Sequence, residues 1–127
     1  MRKLDDVANL TAADVMHPRL STLPAAATVA DLQEYFARSK ERLLALLVDD
    51  GRLVGTVARD VIGEAGDPGA PAFGLADPHP STIAATAPAS DARDIASAQP
   101  SLRLPVLDDA GRLVGIVAIN PERGDFC

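Results

Sequence analysis

The chain has 127 residues, 47% hydrophobic and 24% charged, with a net charge of −6. That is one domain's length with enough apolar material for a core, which excludes a disordered or fibrous chain; the acidic excess, with no cluster of Arg and Lys among aromatics to offset it, argues against a nucleic-acid partner. No apolar run approaches the ~20 residues of a membrane span and the start lacks a signal peptide's apolar stretch, so the chain reads as soluble and cytoplasmic.

In chain order, Ser21, Thr22 and Leu23 form a short extended segment ended by Pro24, whose ring biases Leu23 away from helix. Thr28 is a helix N-cap, and Val29, Leu32, Tyr35 and Phe36 recur at helical spacing to about Ser39, with Asp31 and Glu34 in the favourable first turn. Residues 43–48, Leu-Leu-Ala-Leu-Leu-Val, are a continuous apolar run of strand length, as in a strand buried on both faces. Asp49-Asp50-Gly51-Arg52 is turn chemistry, residues 53–57 return as the partner strand, and Asp60, Val61 and Ile62 begin a helical turn that the glycines of 63–69 stop.

The order then recurs. Ser81, Thr82 and Ile83 are extended, Ser90 caps a helix to about Ser97, Pro100 breaks it, 102–107 is a strand, 108–112 turns, and 113–118 pairs back. The recurrence is written in the residues: Gly51-Arg52-Leu53-Val54-Gly55-Thr56-Val57-Ala58 returns as Gly111-Arg112-Leu113-Val114-Gly115-Ile116-Val117-Ala118, seven identities in eight at an offset of 60. The same offset pairs Pro18 with Pro78, Ser21-Thr22 with Ser81-Thr82, and Asp31 with Asp91. Residues 10–64 are therefore one repeat, 65–74 a linker, and 75–121 a second repeat with a truncated last helix. The fold expected is α/β (α+β): two pseudo-twofold-related β-α-β-β-α repeats packed sheet to sheet, since neither repeat covers its own strands alone.

Asp14-Val15-Met16 before the first strand, Leu104-Pro105-Val106-Leu107-Asp108, and the twice-written Gly-Arg-Leu-Val-Gly-x-Val resemble the cystathionine-β-synthase (CBS) domain in its tandem form, the Bateman module. The resemblance implies a regulatory binding module and not an enzyme, commonly a homodimer, that takes AMP, ADP, ATP or S-adenosylmethionine in clefts between the repeats, requires no cofactor, and biases a partner protein. It also implies where the ligand sits. Adenine lies against the first and second strands. Ribose and phosphate meet the end of the third, where the family pattern is Gly, two residues, Ser or Thr, two residues, Asp: a carboxylate accepts from ribose hydroxyls, while a hydroxyl and amides receive phosphate.

Carried onto this chain, the nucleotide-binding positions of the first repeat are Thr22, Leu23, Pro24, Val57, Arg59 and Asp60, and those of the second are Thr82, Ile83, Pro105 and Asn120. Both repeats depart from the pattern in the same way: the hydroxyl position holds Ala58 and Ala118, the acid position Val61 and Pro121, and Asp60 and Asn120 fall one residue early. The first site keeps a carboxylate and Arg59 for a phosphate; the second has no charge.

Each of these residues has a plainer reading beside the functional one. Asp60 caps a short helix, Arg59 is a solvated surface charge, and Thr22 and Thr82 are strand residues. His17 and His79 do not align between repeats, the acidic pairs at 49–50 and 108–109 lack the alternating ligands of a calcium loop, and the lone Cys127 excludes an internal disulfide or a Cys-x-x-Cys site, so no metal site is expected. No nucleophile elbow, P-loop or paired acid and base argues for catalysis. The alternative function is a ligand-free CBS-pair module that dimerises or docks on a partner. Its residue-level support is apolar surface expected at the ends of the helices, near Leu32, Phe36, Val61 and Ile62.

Overall fold

The strand segments read at 43–48 and 102–107 become interior strands of two separate sheets in the computed structural model, which describes residues 2–64 and 66–127. One sheet has the order β1 (Leu23–Pro24), β2 (Leu44–Asp49), β3 (Arg52–Ala58); the other has β4 (Ile83–Ala84), β5 (Arg103–Leu107), β6 (Leu113–Asn120), β7 (Asp125–Phe126). In both, the first strand runs parallel to the second and the second antiparallel to the third. Helices α1 (Ala12–Val15), α2 (Val29–Ala37) and α3 (Ala89–Ala98), with 3-10 turns at Arg59–Glu64 and Ala72–Leu75, complete a mixed α+β architecture, the fold class expected from the sequence. No described helix is long and apolar enough to cross a membrane.

Helix α2 starts where its residues say it should. Thr28 Oγ1 accepts from the Asp31 N–H at 3.3 Å, and the Asp31 carboxylate accepts from the Thr28 N–H at 2.9 Å, which satisfies two end groups reciprocally. Helix α3 starts earlier than the Ser90 hydroxyl suggests. Pro88 takes the cap position and its carbonyl accepts from Asp91 and Ala92 at 3.1 and 3.2 Å, because the fixed φ of proline already suits a helix start. The two hairpins absorb their length difference in the turn. Asp50 and Gly51, at φ 51° and 76°, make the two-residue turn between β2 and β3. The second turn, longer by Ala110, is tied by the Asp108 carboxylate, which accepts from the Ala110 and Arg112 amides at 2.9 Å each.

The chain divides into two compact units, residues 21–80 and, separately, the residues up to Leu20 together with 81–127. The leading segment therefore packs with the second repeat and not with the one it precedes. There His17 and Ile116 exchange backbone hydrogen bonds at 2.8 and 3.1 Å, Thr11 bridges to Pro88, and Ala12 is fully buried. In the other unit, the segment before β4 does the same: Asp77 and Thr56 exchange bonds at 2.8 and 3.1 Å, Pro71 bridges to Thr28, and Ala72 is fully buried. Every one of these pairs is offset by 60, so the internal duplication reaches into segments where no helix was read.

Each unit has its own core. One is built on Ala27, Leu32, Phe36, Ala45, Leu47 and Val57, the other on Ile83, Ala92, Ala96, Leu104, Val106, Val117, Ile119 and Phe126. This corrects the apolar surface expected at the helix ends: Leu32 and Phe36 are 0% and 3% exposed, and Val61 and Ile62 pack half-buried against the same core.

The two ends of the chain meet in the second unit. Leu4 N–H donates to Gly124 O at 2.8 Å, Phe126 N–H donates to Arg2 O at 2.9 Å, and Lys3 Nζ lies 2.8 Å from Asp125 Oδ1, with Arg123 Nε at 3.8 Å from the other oxygen. The hydrogen bond from Lys3 holds the Asp125 carboxyl below its ordinary value of 3.8. A depressed carboxyl contributes stability that is present above its unfolded pKa and is lost as pH falls through the folded one. Asp125→Asn should therefore lower stability at neutral pH and flatten the loss below about pH 4 that the parent chain shows in urea melts run across that range; equal acid limbs for the two proteins would contradict the pairing.

Candidate functional site

A strand's side chains alternate between faces, so the position of each candidate residue follows from its register against the core. In the first sheet Leu23 pairs with Leu47 and Val57 with Ala45, and all four belong to the core side. Thr22, Pro24, Leu46 and Ala58 fall on the opposite face. Leu46 is nonetheless 1% exposed, so β2 is covered on both faces, as its unbroken apolar run implies. In the second sheet Ile83, Leu104, Val106, Val117 and Ile119 line the core, which leaves Thr82, Pro105, Ala118 and Asn120 on the opposite face. Pro105, in the register position of Leu46, is likewise buried.

Eight of the ten candidate residues thus separate into two groups. Thr22, Pro24, Thr82, Pro105 and Asn120 share the face turned from the core of their own unit, while Leu23, Val57 and Ile83 are core residues that offer a ligand little but backbone. Thr22 and the end of β3 flank β2 on opposite sides and are staggered along it by two residues, about 10 Å across and about 7 Å along from strand geometry. Asp60 follows Ala58 into the 3-10 turn and is exposed.

Arg59 belongs with the core group. Its Nη1 donates to Ser39 O at 2.8 Å and to Arg42 O at 3.1 Å, and its guanidinium carbon lies 5.6 Å from the centroid of the Phe36 ring. Its counterpart in the second repeat, Ile119, is 1% exposed. The guanidinium therefore fastens the connection between α2 and β2 from beneath, neither a solvated surface charge nor a group directed at the face that carries Thr22. Strand parity, extended from Val57 to Arg59, was the sequence signal for this placement.

The ends of the two third strands differ. Residues after Ala58 leave the sheet as a 3-10 turn, whereas β6 continues through Asn120, and the chain reverses at Gly124 (φ 70°) to pair as β7, Ile119 against Phe126 and Asn120 against Asp125. The helical tail expected for the second repeat is a strand. Asn120 Oδ1 accepts from the Arg123 N–H at 3.3 Å inside that reversal. Beside Thr22 there is also a hollow of about 290 Å³, walled by α2 and by Arg42 stacked 4.4 Å from the Tyr35 ring centroid; it does not reach Asp60.

Comparison with known proteins agrees with this fold. The CBS domain family matches residues 12–64 and 74–120. Among solved structures, the cystathionine β-synthase pair domain of a protein assigned as a Mg2+ transporter from Shewanella oneidensis MR-1 superposes with a TM-score of 0.77 at 27% identity, over 90% of this chain and 68% of that one. The CBS-pair protein CBSX2 from Arabidopsis thaliana superposes with a TM-score of 0.75 at 25% identity, over 85% of this chain and 87% of that one. CBSX2 in complex with AMP gives a TM-score of 0.73 at 25% identity, over 85% of this chain and 89% of that one. A comparison with curated protein sequences gives no match.

Proposed function

Since the chain belongs to the CBS domain family, with both halves of a tandem pair matched, we propose that it is a non-catalytic regulatory module that senses an adenosine nucleotide. The observation that carries this reading is the placement of Asp60: an exposed carboxylate just past the end of β3, following Ala58 on the face that also presents Thr22 and Pro24. An adenine laid against Thr22, Pro24 and the backbone at Leu23 would extend its ribose past half-buried Leu44, the β2 residue opposite Ala58, toward that carboxylate, which accepts two hydroxyl hydrogen bonds at once. The AMP complex of a CBS-pair protein of this fold supports the ligand class. Val57 contributes only its backbone, its side chain being in the core, and Arg59 serves as a positioning residue that fixes the start of the turn bearing Asp60.

Control of a partner follows if the ligand binds two arrangements of the module unequally. The absence of a hydroxyl at both Ala58 and Ala118 favours a second reading, a module that acts through contacts with a partner and takes no ligand.

Calorimetric titration with AMP, ADP, ATP and S-adenosylmethionine separates the two. Binding is expected with at least one, and Asp60→Ala should weaken it by more than about tenfold, the cost of losing a charged acceptor. No heat and no thermal shift with any of them at millimolar concentration would leave only the ligand-free reading.

A further inference from the structure

The two repeats are alike up to the ends of their third strands and unlike after them. In the first, Ala58 is the last residue in the sheet and Asp60 stands exposed beyond it. In the second, the equivalent of Asp60 is Asn120, still inside β6 and committed three ways: its backbone pairs with Asp125, its carbonyl accepts from Gly124 N–H at 2.9 Å, and its side-chain oxygen accepts from Arg123 N–H at 3.3 Å.

The reversal that engages it is not a loose tail. Phe126 is 3% exposed and belongs to the core of its unit, Cys127 N–H donates to Ala118 O at 2.8 Å, and Asp125, 5% exposed, is held by Lys3 from the leading segment. Two cations at this end, Lys3 and Arg123, face the Asp125 carboxylate. A ribose presented to β6 as one is to β3 would meet a side chain whose acceptor is in use and a backbone already paired.

Resting on the nucleotide reading above, we infer that the β6–β7 hairpin is a built-in occupant of the second nucleotide position, so that this module takes one adenosine nucleotide per chain and takes it through the first repeat. Opening the second position would require breaking the β6–β7 pairs and withdrawing Phe126 from the core.

The test uses the full chain and AMP. Calorimetry is expected to give one site per chain, and Asn120→Asp, which restores the missing charge, is expected still to give one, because the hairpin remains. In amide hydrogen exchange at saturating AMP, protection should rise around residues 57–60 while Gly124 and Phe126 exchange at the rate of the unliganded protein. Two sites in the parent chain, a second site in Asn120→Asp, or faster exchange of Gly124 and Phe126 on adding AMP would overturn the inference and leave the nucleotide reading standing. No binding of AMP or its relatives would overturn both.

Discussion

Phe36→Ala should cost about 3–5 kcal/mol, the range for truncating a buried aromatic. The ring is 3% exposed in the core of its unit, meets Tyr35 edge-on with centroids 5.3 Å apart, and seats the Arg59 guanidinium. Its removal leaves a cavity and unseats a cation whose partners are two carbonyls in the α2–β2 connection. Against a total stability of about 5–15 kcal/mol, that loss leaves a marginal protein. Chemical denaturation followed by circular dichroism measures it. Phe36→Leu, which keeps most of the volume and loses the ring face, should cost clearly less. Similar losses for Leu and Ala would show that the cation's seat, rather than the packing, carries the effect.

The two glycines that close the repeated Gly-Arg-Leu-Val-Gly should respond very differently to alanine. A Cβ at Gly115 would lie 2.3 Å from Met16 Sδ and 2.9 Å from His17 O, whereas at Gly55 the nearest atoms are Ala76 Cβ at 3.1 Å and Asp77 O at 3.3 Å. Gly115→Ala should destabilise by about 2–3 kcal/mol, the upper part of the range for overpacking, and lower the melting temperature by roughly 10 °C. At Gly55 a few tenths of an ångström of adjustment suffices. The entropy that alanine removes from the unfolded chain offsets part of the strain, so the change should stay within about 1 kcal/mol. Adding Met16→Ala to Gly115→Ala should recover some of the loss but not all, since the His17 carbonyl is backbone and stays; a double-mutant cycle gives the coupling. Equal effects at the two glycines would mean that the leading segment does not press on β6 as closely as described.

How much of this was legible beforehand differs from place to place. The strands, the turns and α2 follow from local chemistry: a T-x-x-D cap, an Asp-Gly turn, apolar runs of strand length. The duplication followed from identity alone. What escaped were elements whose partners lie far along the chain. Helix α1 carries the same T-x-x-D cap in Thr11 and Asp14 but is too short to show apolar periodicity, and the Ala72–Leu75 turn carries weak local signals; both dock near the repeat partners Pro88 and Thr28, and the matching of Ala12 to Ala72 at the repeat offset was a further clue. Strand β7 escaped for the same reason, since two residues pair only because Phe126 has a core to enter.

At the candidate site the residue list was readable and its orientation was not. Parity places Val57 and Arg59 inward, yet a charged residue at an inward position looks like surface until its acceptors, the carbonyls of Ser39 and Arg42, are seen. Asp60 is exposed just past the end of β3, as its polarity and the turn chemistry around it imply.

The division of the chain into a continuous unit and an interrupted one has a consequence for the order in which the protein is made. Residues 21–80 form a unit that is continuous in sequence, but the segment up to Leu20 belongs with residues 81–127. Leu4, Val7, Leu10 and Val15, which pack in or on the second core, are synthesised well before the strands that cover them. At a synthesis rate of about 5–20 residues per second they wait several seconds while the rest is made. The segment up to Leu20 thus depends on residues made about a hundred positions later, and stays open to a chaperone, or to another copy of itself, until Asp125 arrives to meet Lys3.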